Sequence, residues 1–82
     1  MKVAVKVRLK PGILDPQGET VNQALHHLGF DRIREVRIGK LIELEVDEGA
    51  DPEEVHRLVE EAARKLLANP VMEVFEIEYP EE

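Results

Sequence analysis

The sequence predicts one α+β domain over residues 1–82, in which four antiparallel strands and two helices follow the order β-α-β-β-α-β. Alternating apolar and polar residues at both ends of the chain are typical of strands. Two Asp-Pro pairs, each followed by apolar residues at helical spacing, are typical of helix starts. Two right-handed crossovers around a central hairpin place both helices on one face of the sheet, which is the ferredoxin-like arrangement.

The first strand is predicted from Met1 to Lys10. Its odd positions are apolar, and its even positions include Lys2, Lys6, Arg8 and Lys10. We expect the odd face to meet the helices and the strand to end at Pro11, which has no N–H to donate to a sheet. The basic face is interpreted as solvated, and contact with acidic partner surfaces is the functional alternative.

The ten residues Leu9–Gly18 connect this strand to the first helix. Gly12 permits a turn with a positive φ angle. Asp15, followed by Pro16, predicts a helix N-cap with proline in the first helical position. The helix is predicted from Pro16 to Leu28 because its apolar residues recur at helical spacing, and Gly29 occupies the position of a left-handed C-terminal cap.

The middle of the chain is rich in β-branched residues on either side of Gly39-Lys40. This pattern predicts a hairpin with strands Ile33–Ile38 and Leu41–Val46 and a tight turn between them. The turn is not a phosphate-binding loop, because neither further glycines nor a serine or threonine follow it.

A second helix is predicted from Asp51-Pro52 to Asn69-Pro70, with its N-cap at Asp51. The last strand is predicted from Val71 to Tyr79, and residues 80–82 are predicted to form an exposed tail. Because the last strand pairs beside the first, we expect its glutamates to face the basic residues of the first strand.

The sheet face without helices is predicted to be more apolar than a solvated face, and a second copy of the chain is the simplest cover for it. Such a small domain also gains stability from an oligomeric partner. The sequence therefore predicts a homodimer or a higher even oligomer. The apolar residues assigned to this face are Ala4, Val36, Ile38, Leu41, Met72 and Val74.

The residue types exclude several kinds of site. The chain has no cysteine and no serine, so no thiolate or serine nucleophile exists. His26, His27 and His56 are interpreted as exposed helical residues rather than metal ligands. A formal charge of −7 with three aromatic residues argues against nucleic-acid binding. No apolar run approaches the roughly 18 residues of a membrane span, and a cytoplasmic location is expected.

Five segments resemble one known family. These segments are Leu9–Gly18, Ala24-Leu25, Leu28–Phe30, Val36–Lys40 and Lys65–Glu73. In order and spacing they resemble the small, PurS-type subunit of phosphoribosylformylglycinamidine synthase, a glutamine-dependent C–N ligase of purine biosynthesis. The resemblance implies an accessory subunit without an active site of its own, which bridges a glutaminase subunit and a large ATP-dependent synthetase subunit. Ammonia from glutamine then converts formylglycinamide ribonucleotide to formylglycinamidine ribonucleotide.

The expected site residues follow from that reading. No catalytic, cofactor-binding or metal-binding residue is predicted, and ATP, Mg and glutamine are expected to be used by the complex rather than bound by this chain. The residues predicted to contact partner subunits are Arg8, Lys10, Pro11, Gly12, Asp15, Arg37 and Lys40.

One alternative function comes from a different class of protein. Amino-acid-sensing modules of the ACT type share the βαββαβ order and use a glycine-rich turn after the first strand, where Gly12 lies. Acylphosphatases also share this order, but they use an arginine in that loop, whereas this chain has Lys10.

Overall fold

The first strand forms the centre of a three-stranded antiparallel sheet. A computed structural model describes residues 1–80, so Glu81 and Glu82 of the predicted tail lie outside the described residues. Val5 lies opposite Ile42 on one side and Ile77 on the other, which places three apolar side chains on the same face. The strand order is β2-β1-β3, with β1 at Lys2–Leu9, β2 at Lys40–Glu45 and β3 at Glu73–Glu78.

The core lies between the odd face of β1 and the second helix. Val3 and Val5 are fully buried and Val7 is 1% exposed, which confirms the predicted face. Helix α2 (Pro52–Ala62) contributes Val55 and Val59. The β-branched valines of β1 suit the pleated surface of the sheet, because their χ1 angles are already restricted.

The C-terminal end of α2 widens into a π-helical turn, Ala63–Leu67. The N–H of Ala68 donates to the carbonyl of Ala63 at 2.9 Å, five residues back. This wider turn buries both Ala63 and Ala68 in the core but leaves Leu66 83% exposed. π-Helical turns are rare and occur often near functional positions.

The first helix, α1 (Pro16–His27), forms where it was predicted but does not cover the sheet. The Asp15 side chain caps it, and Gly12 and Gly29 adopt positive φ angles as expected. However, none of its residues belongs to the core or packs against it. The prediction that both helices pack on one face of the sheet is therefore met by α2 alone.

The predicted fourth strand is wrong for the single chain. Residues 33–38 are extended but pair with no strand among residues 1–80, and the chain does not reverse at Gly39-Lys40. Instead this segment runs along α1, held by the contacts described below. We call α1 and the extended segment, residues 16–38, the arm, and the sheet with α2 the body.

The arm makes the molecule long and thin. Its principal extents are 51 × 27 × 14 Å, with a radius of gyration of 16.4 Å, whereas a compact chain of this length would have a radius of about 12 Å. Among the described residues, no helix is long and apolar enough to cross a membrane.

Candidate functional site: an arm and its hinge loop

The loop after β1 is fixed to the body at its first residue. The N–H of Lys10 donates to the carbonyl of Met72 at 2.8 Å, which continues the pairing of β1 with the chain that leads into β3. The N–H of Ile13 then returns to the carbonyl of Lys10 at 3.2 Å and closes a turn across Pro11 and Gly12. These two hydrogen bonds fix the backbone at the start of the loop between β1 and α1. We call residues 10–15 the hinge loop.

Asp15 ends the hinge loop and joins the two ends of the arm. Its Oδ1 accepts from the N–H of Gly18 at 2.9 Å, which caps α1, and its Oδ2 accepts from the N–H of Ile38 at 2.7 Å. Asp15 is 6% exposed and is the buried charged residue of the described chain. The hydrogen bonds from Gly18 and Ile38, with the nearby Arg37 charge, hold the pKa of the Asp15 carboxyl below its usual range.

Arg37, near the end of the extended segment, also binds the hinge loop. Its guanidinium donates to the carbonyl of Ile13 at 2.8 Å and to that of Lys10 at 3.2 Å. Because the guanidinium is planar and carries several donors, one side chain satisfies two carbonyls of the turn. The hinge loop and the end of the extended segment are thus joined by three hydrogen bonds, two from the Arg37 guanidinium and one from the N–H of Ile38 to Asp15.

Close backbone approach packs the extended segment on α1. A Cβ added at Gly18 would collide with the backbone of Val36. Farther along α1, Asn22 Nδ2 donates to the carbonyl of Arg34 at 3.3 Å, and His26 Nε2 lies 2.6 Å from the carbonyl of Ile33. The arm therefore consists of a helix and an extended segment that pack against each other through backbone and side-chain contacts.

The arm leaves two kinds of surface open. From Arg34 on, the carbonyls of Arg34 and Val36 and the N–H of Ile38 face α1 and its cap. The backbone groups of Glu35 and Arg37 therefore face the opposite edge, because backbone groups alternate along an extended chain. Within residues 1–80, these outward N–H groups have no backbone acceptor. The segment therefore presents an unpaired strand edge.

An apolar stripe of the arm is also uncovered. Val21 is 39% exposed, Phe30 is 52% exposed and Leu28 is 74% exposed. The C-terminal cap itself forms, since the N–H of Phe30 donates to the carbonyl of Leu25 at 3.0 Å. The exposed side chains are thus held on a well-formed helix end.

A second uncovered apolar stripe lies on the body. Leu58 and Leu66, at helical spacing from the half-buried Ala62, are 57% and 83% exposed. They lie beside the buried stripe of α2, which is formed by Val55 and Val59. The outer edge of β2 is also unpaired among the described residues.

The helix-free sheet face carries ion pairs as well as apolar residues. Lys6 pairs with Glu78 at 3.2 Å and Arg8 pairs with Glu76, which confirms the predicted facing of basic and acidic residues across β1 and β3. Leu41 and Val74 lie there and are exposed. Val36 and Ile38 do not, because the segment that carries them is in the arm.

The structure brings most of the predicted contact residues to the hinge. Asp15 and Arg37 hold the hinge loop, and Lys10, Pro11 and Gly12 form it. Lys40 lies where the chain re-enters the sheet and pairs with Glu73 at 3.8 Å. Arg8 lies on the sheet face just before the loop. Sequence reasoning did not single out the exposed residues Leu28, Phe30, Leu58 and Leu66, because helical periodicity marks an apolar stripe without showing what covers it.

Two of the three histidines make structural contacts. His26 binds the extended segment, and His56 stacks on Tyr79 with ring centroids 3.7 Å apart. Burial raises the pKa of the Tyr79 hydroxyl. Within residues 1–80, no group of three or more His, Asp or Glu side chains is placed to hold a metal ion.

Comparison with known proteins gives a consistent result. The family model for PurS, phosphoribosylformylglycinamidine (FGAM) synthase, matches residues 2–81. A curated PurS subunit of FGAM synthase from Methanocaldococcus jannaschii is 45% identical over 76 residues, which cover 93% of this chain and 90% of that protein.

Solved structures agree in fold and length. The structure of Bacillus subtilis PurS superposes with a TM-score of 0.83 at 44% identity, covering 98% of both chains. A chain from the structure of PurLQS from Thermotoga maritima gives a TM-score of 0.83 at 34% identity, covering 94% of this chain and 93% of that one. The arrangement of arm and body is therefore similar to that of experimental structures.

Proposed function

This chain belongs to the PurS family of FGAM synthase subunits, and from that premise we propose that it is a non-catalytic bridge within the synthase. It is a subunit of a ligase complex of purine biosynthesis, in association with the glutaminase and synthetase subunits. Its proposed task is to hold those two subunits together while ammonia from glutamine is used on formylglycinamide ribonucleotide. ATP, Mg and glutamine are bound elsewhere in the complex, which acts in the cytoplasm.

The observation that carries this proposal is the uncovered surface of the chain. A domain of this size gains much of its stability by covering apolar residues, yet the two apolar stripes described above leave five large side chains exposed, namely Val21, Leu28, Phe30, Leu58 and Leu66. Apolar patches on a small protein mark contacts with other chains. Near the hinge loop, in contrast, the Asp15 and Arg37 side chains are bound within the chain.

The predicted four-stranded sheet is proposed to form between two copies. The arm carries the elements that the body lacks, namely a helix and an extended segment with a free edge. In a homodimer that exchanges arms, residues 33–38 of one copy pair with the outer edge of β2 in the other. The stripe of Val21 and Leu28 then packs on the stripe of Leu58 and Leu66. Each half becomes a ferredoxin-like unit, as exchange of identical elements between protomers allows.

The hinge loop and its neighbours are proposed to contact the other subunits. The residues open to such contact are Arg8, Lys10, Pro11, Gly12 and Lys40. Asp15 and Arg37 act differently, since Asp15 is buried and the Arg37 guanidinium is bound to two carbonyls. Their proposed task is to position the loop.

Reconstitution tests the function. The purified chain alone should neither hydrolyse ATP nor release ammonia from glutamine, and its addition to the glutaminase and synthetase subunits should restore glutamine-dependent FGAM formation. Light scattering should give a multiple of the 9.4 kDa chain mass. Turnover by the chain alone after repeated purification, or full activity of the complex without it, would contradict the proposal.

A further inference from the structure

Two connections join the arm to the body, and the same pair of side chains bridges both. The hinge loop leads from β1 into α1, and Gly39 leads from the extended segment into β2. Asp15 lies on the first connection and binds the N–H of Ile38 on the second. Arg37 lies on the second and binds two carbonyls of the first. These contacts fix the direction in which the arm leaves the body.

Gly39 is a point where the chain has two possible paths. In the observed path it runs straight into β2, and a Cβ added there would lie 2.5 Å from the carbonyl oxygen of Val7, so only glycine fits beside β1. In the second path Gly39-Lys40 forms a two-residue type II′ turn, which needs glycine in its first central position. That turn lays residues 33–38 against β2 of the same chain.

The second path is incompatible with the observed contacts. A two-residue turn would bring Ile38 opposite Leu41, on the side of β2 away from β1. Ile38 would then lie two strand spacings, or about 9–10 Å, from β1. Arg37 would lie beside Ile42, several residues back from Lys10 at about 3.3 Å per residue. Neither side chain could keep its bonds to the hinge loop.

We propose that Asp15 and Arg37 form a latch that holds the arm extended, and so selects assembly from two chains over closure of one chain on itself. The proposal rests on the arm exchange described under the proposed function. In the latched chain, the free edge and the two apolar stripes cannot meet one another, and a second copy covers them. In an unlatched chain, the arm folds back and the same surfaces satisfy each other.

Asp15→Ser separates the latch from the helix cap. A serine hydroxyl still accepts from the N–H of Gly18, because serine is a good N-cap. Its single oxygen on a shorter side chain does not also reach Ile38, whose bond uses the second carboxylate oxygen. Asp51→Ser is the matched control, since Asp51 caps α2 through the N–H of Glu53 and makes no contact with the arm. Arg37→Ala opens the latch from the other side and leaves the Asp15 cap intact.

The test measures mass and shape of the full chain by light scattering and small-angle X-ray scattering over a concentration series. Asp15→Ser and Arg37→Ala should each raise the dimer dissociation constant at least tenfold, and their monomers should be shorter than 51 Å. Asp51→Ser should leave the dissociation constant within about twofold of the wild-type value.

Three outcomes would contradict the latch, and the first can be told apart from failure of the proposed function. Unchanged dissociation constants in both folded latch variants would show that Asp15 and Arg37 do not select the dimer, while the bridging function would stand. A wild-type chain that is a compact monomer would contradict both the latch and arm exchange. A wild-type chain that is an extended monomer would contradict arm exchange and the selection of the dimer by the latch, although Asp15 and Arg37 would still set the direction of the arm.

Discussion

The body and the arm solve the problem of folding in opposite ways. In the body, valines of β1 and α2 are almost fully buried, and the sheet pairs along the whole of β1. The arm contributes nothing to that core. It holds its shape through a capped helix, a close glycine contact and side-chain bonds to the backbone of the extended segment. The difference indicates that the body is built for its own stability and the arm for contact with other chains.

Core truncation should produce the largest effect and the clearest contrast. Val59→Ala removes two methyl groups from a side chain that is 1% exposed, and we expect a loss of about 2 kcal/mol in the free energy of unfolding. Urea unfolding should show this loss at every protein concentration. Leu28→Ala, on the exposed stripe of the arm, should cost little at low concentration and progressively more as chains associate.

Two results would contradict this difference between body and arm. A large loss for Leu28→Ala in the dilute chain would mean that the arm stabilises its own body. A loss for Val59→Ala only at high concentration would mean that the core forms on association.

The elements of the chain were predictable because each has a local cause. Alternation marked β1, and the Asp15-Pro16 and Asp51-Pro52 pairs marked both helix starts. The hairpin prediction failed because Gly39-Lys40 suits a tight turn and an extended path equally, and the observed path comes with contacts between residues far apart in the sequence. The bond from Asp15 to Ile38 spans 23 residues, and no local pattern contains it. The hinge loop could be identified as important from its residues, but its connection to the arm could not.

Acid should weaken the tie between the arm and the hinge loop. The pKa of Asp15 is lowered in the folded chain by hydrogen bonds to its carboxylate, so its contribution to stability is present above its unfolded pKa of about 4. This contribution is lost as pH falls below about 4, through the lower folded value. The stability difference between wild type and Asp15→Ser should therefore be constant near neutral pH and shrink in acid.

Thermal melts from about pH 7 to pH 2.5 would measure that difference. Other carboxyl groups, including Glu61, whose pKa is lowered by its hydrogen bond to Lys65, titrate in both proteins and cancel in the comparison. A difference that stayed constant down to the acid limit would show that the Asp15 carboxylate is not what stabilises the hinge.

The smallest effect on folding should come from the charge next to the hinge, where an effect on assembly is expected instead. Lys10→Glu changes a side chain that makes no ion pair among residues 1–80, so its free energy of unfolding should change by no more than about 0.5 kcal/mol. Lys2→Glu makes the same charge change at the opposite end of β1 and is the matched control.

If the hinge loop meets the glutaminase or synthetase subunit, Lys10→Glu should slow association and change its dependence on salt, because charges at an interface rim mainly steer encounter. Stopped-flow mixing with each partner subunit would measure the association rates of Lys10→Glu and Lys2→Glu. Equal association rates for the two variants would place the contact away from the hinge loop, and would leave the arm and its latch as the reason for the conformation of this loop.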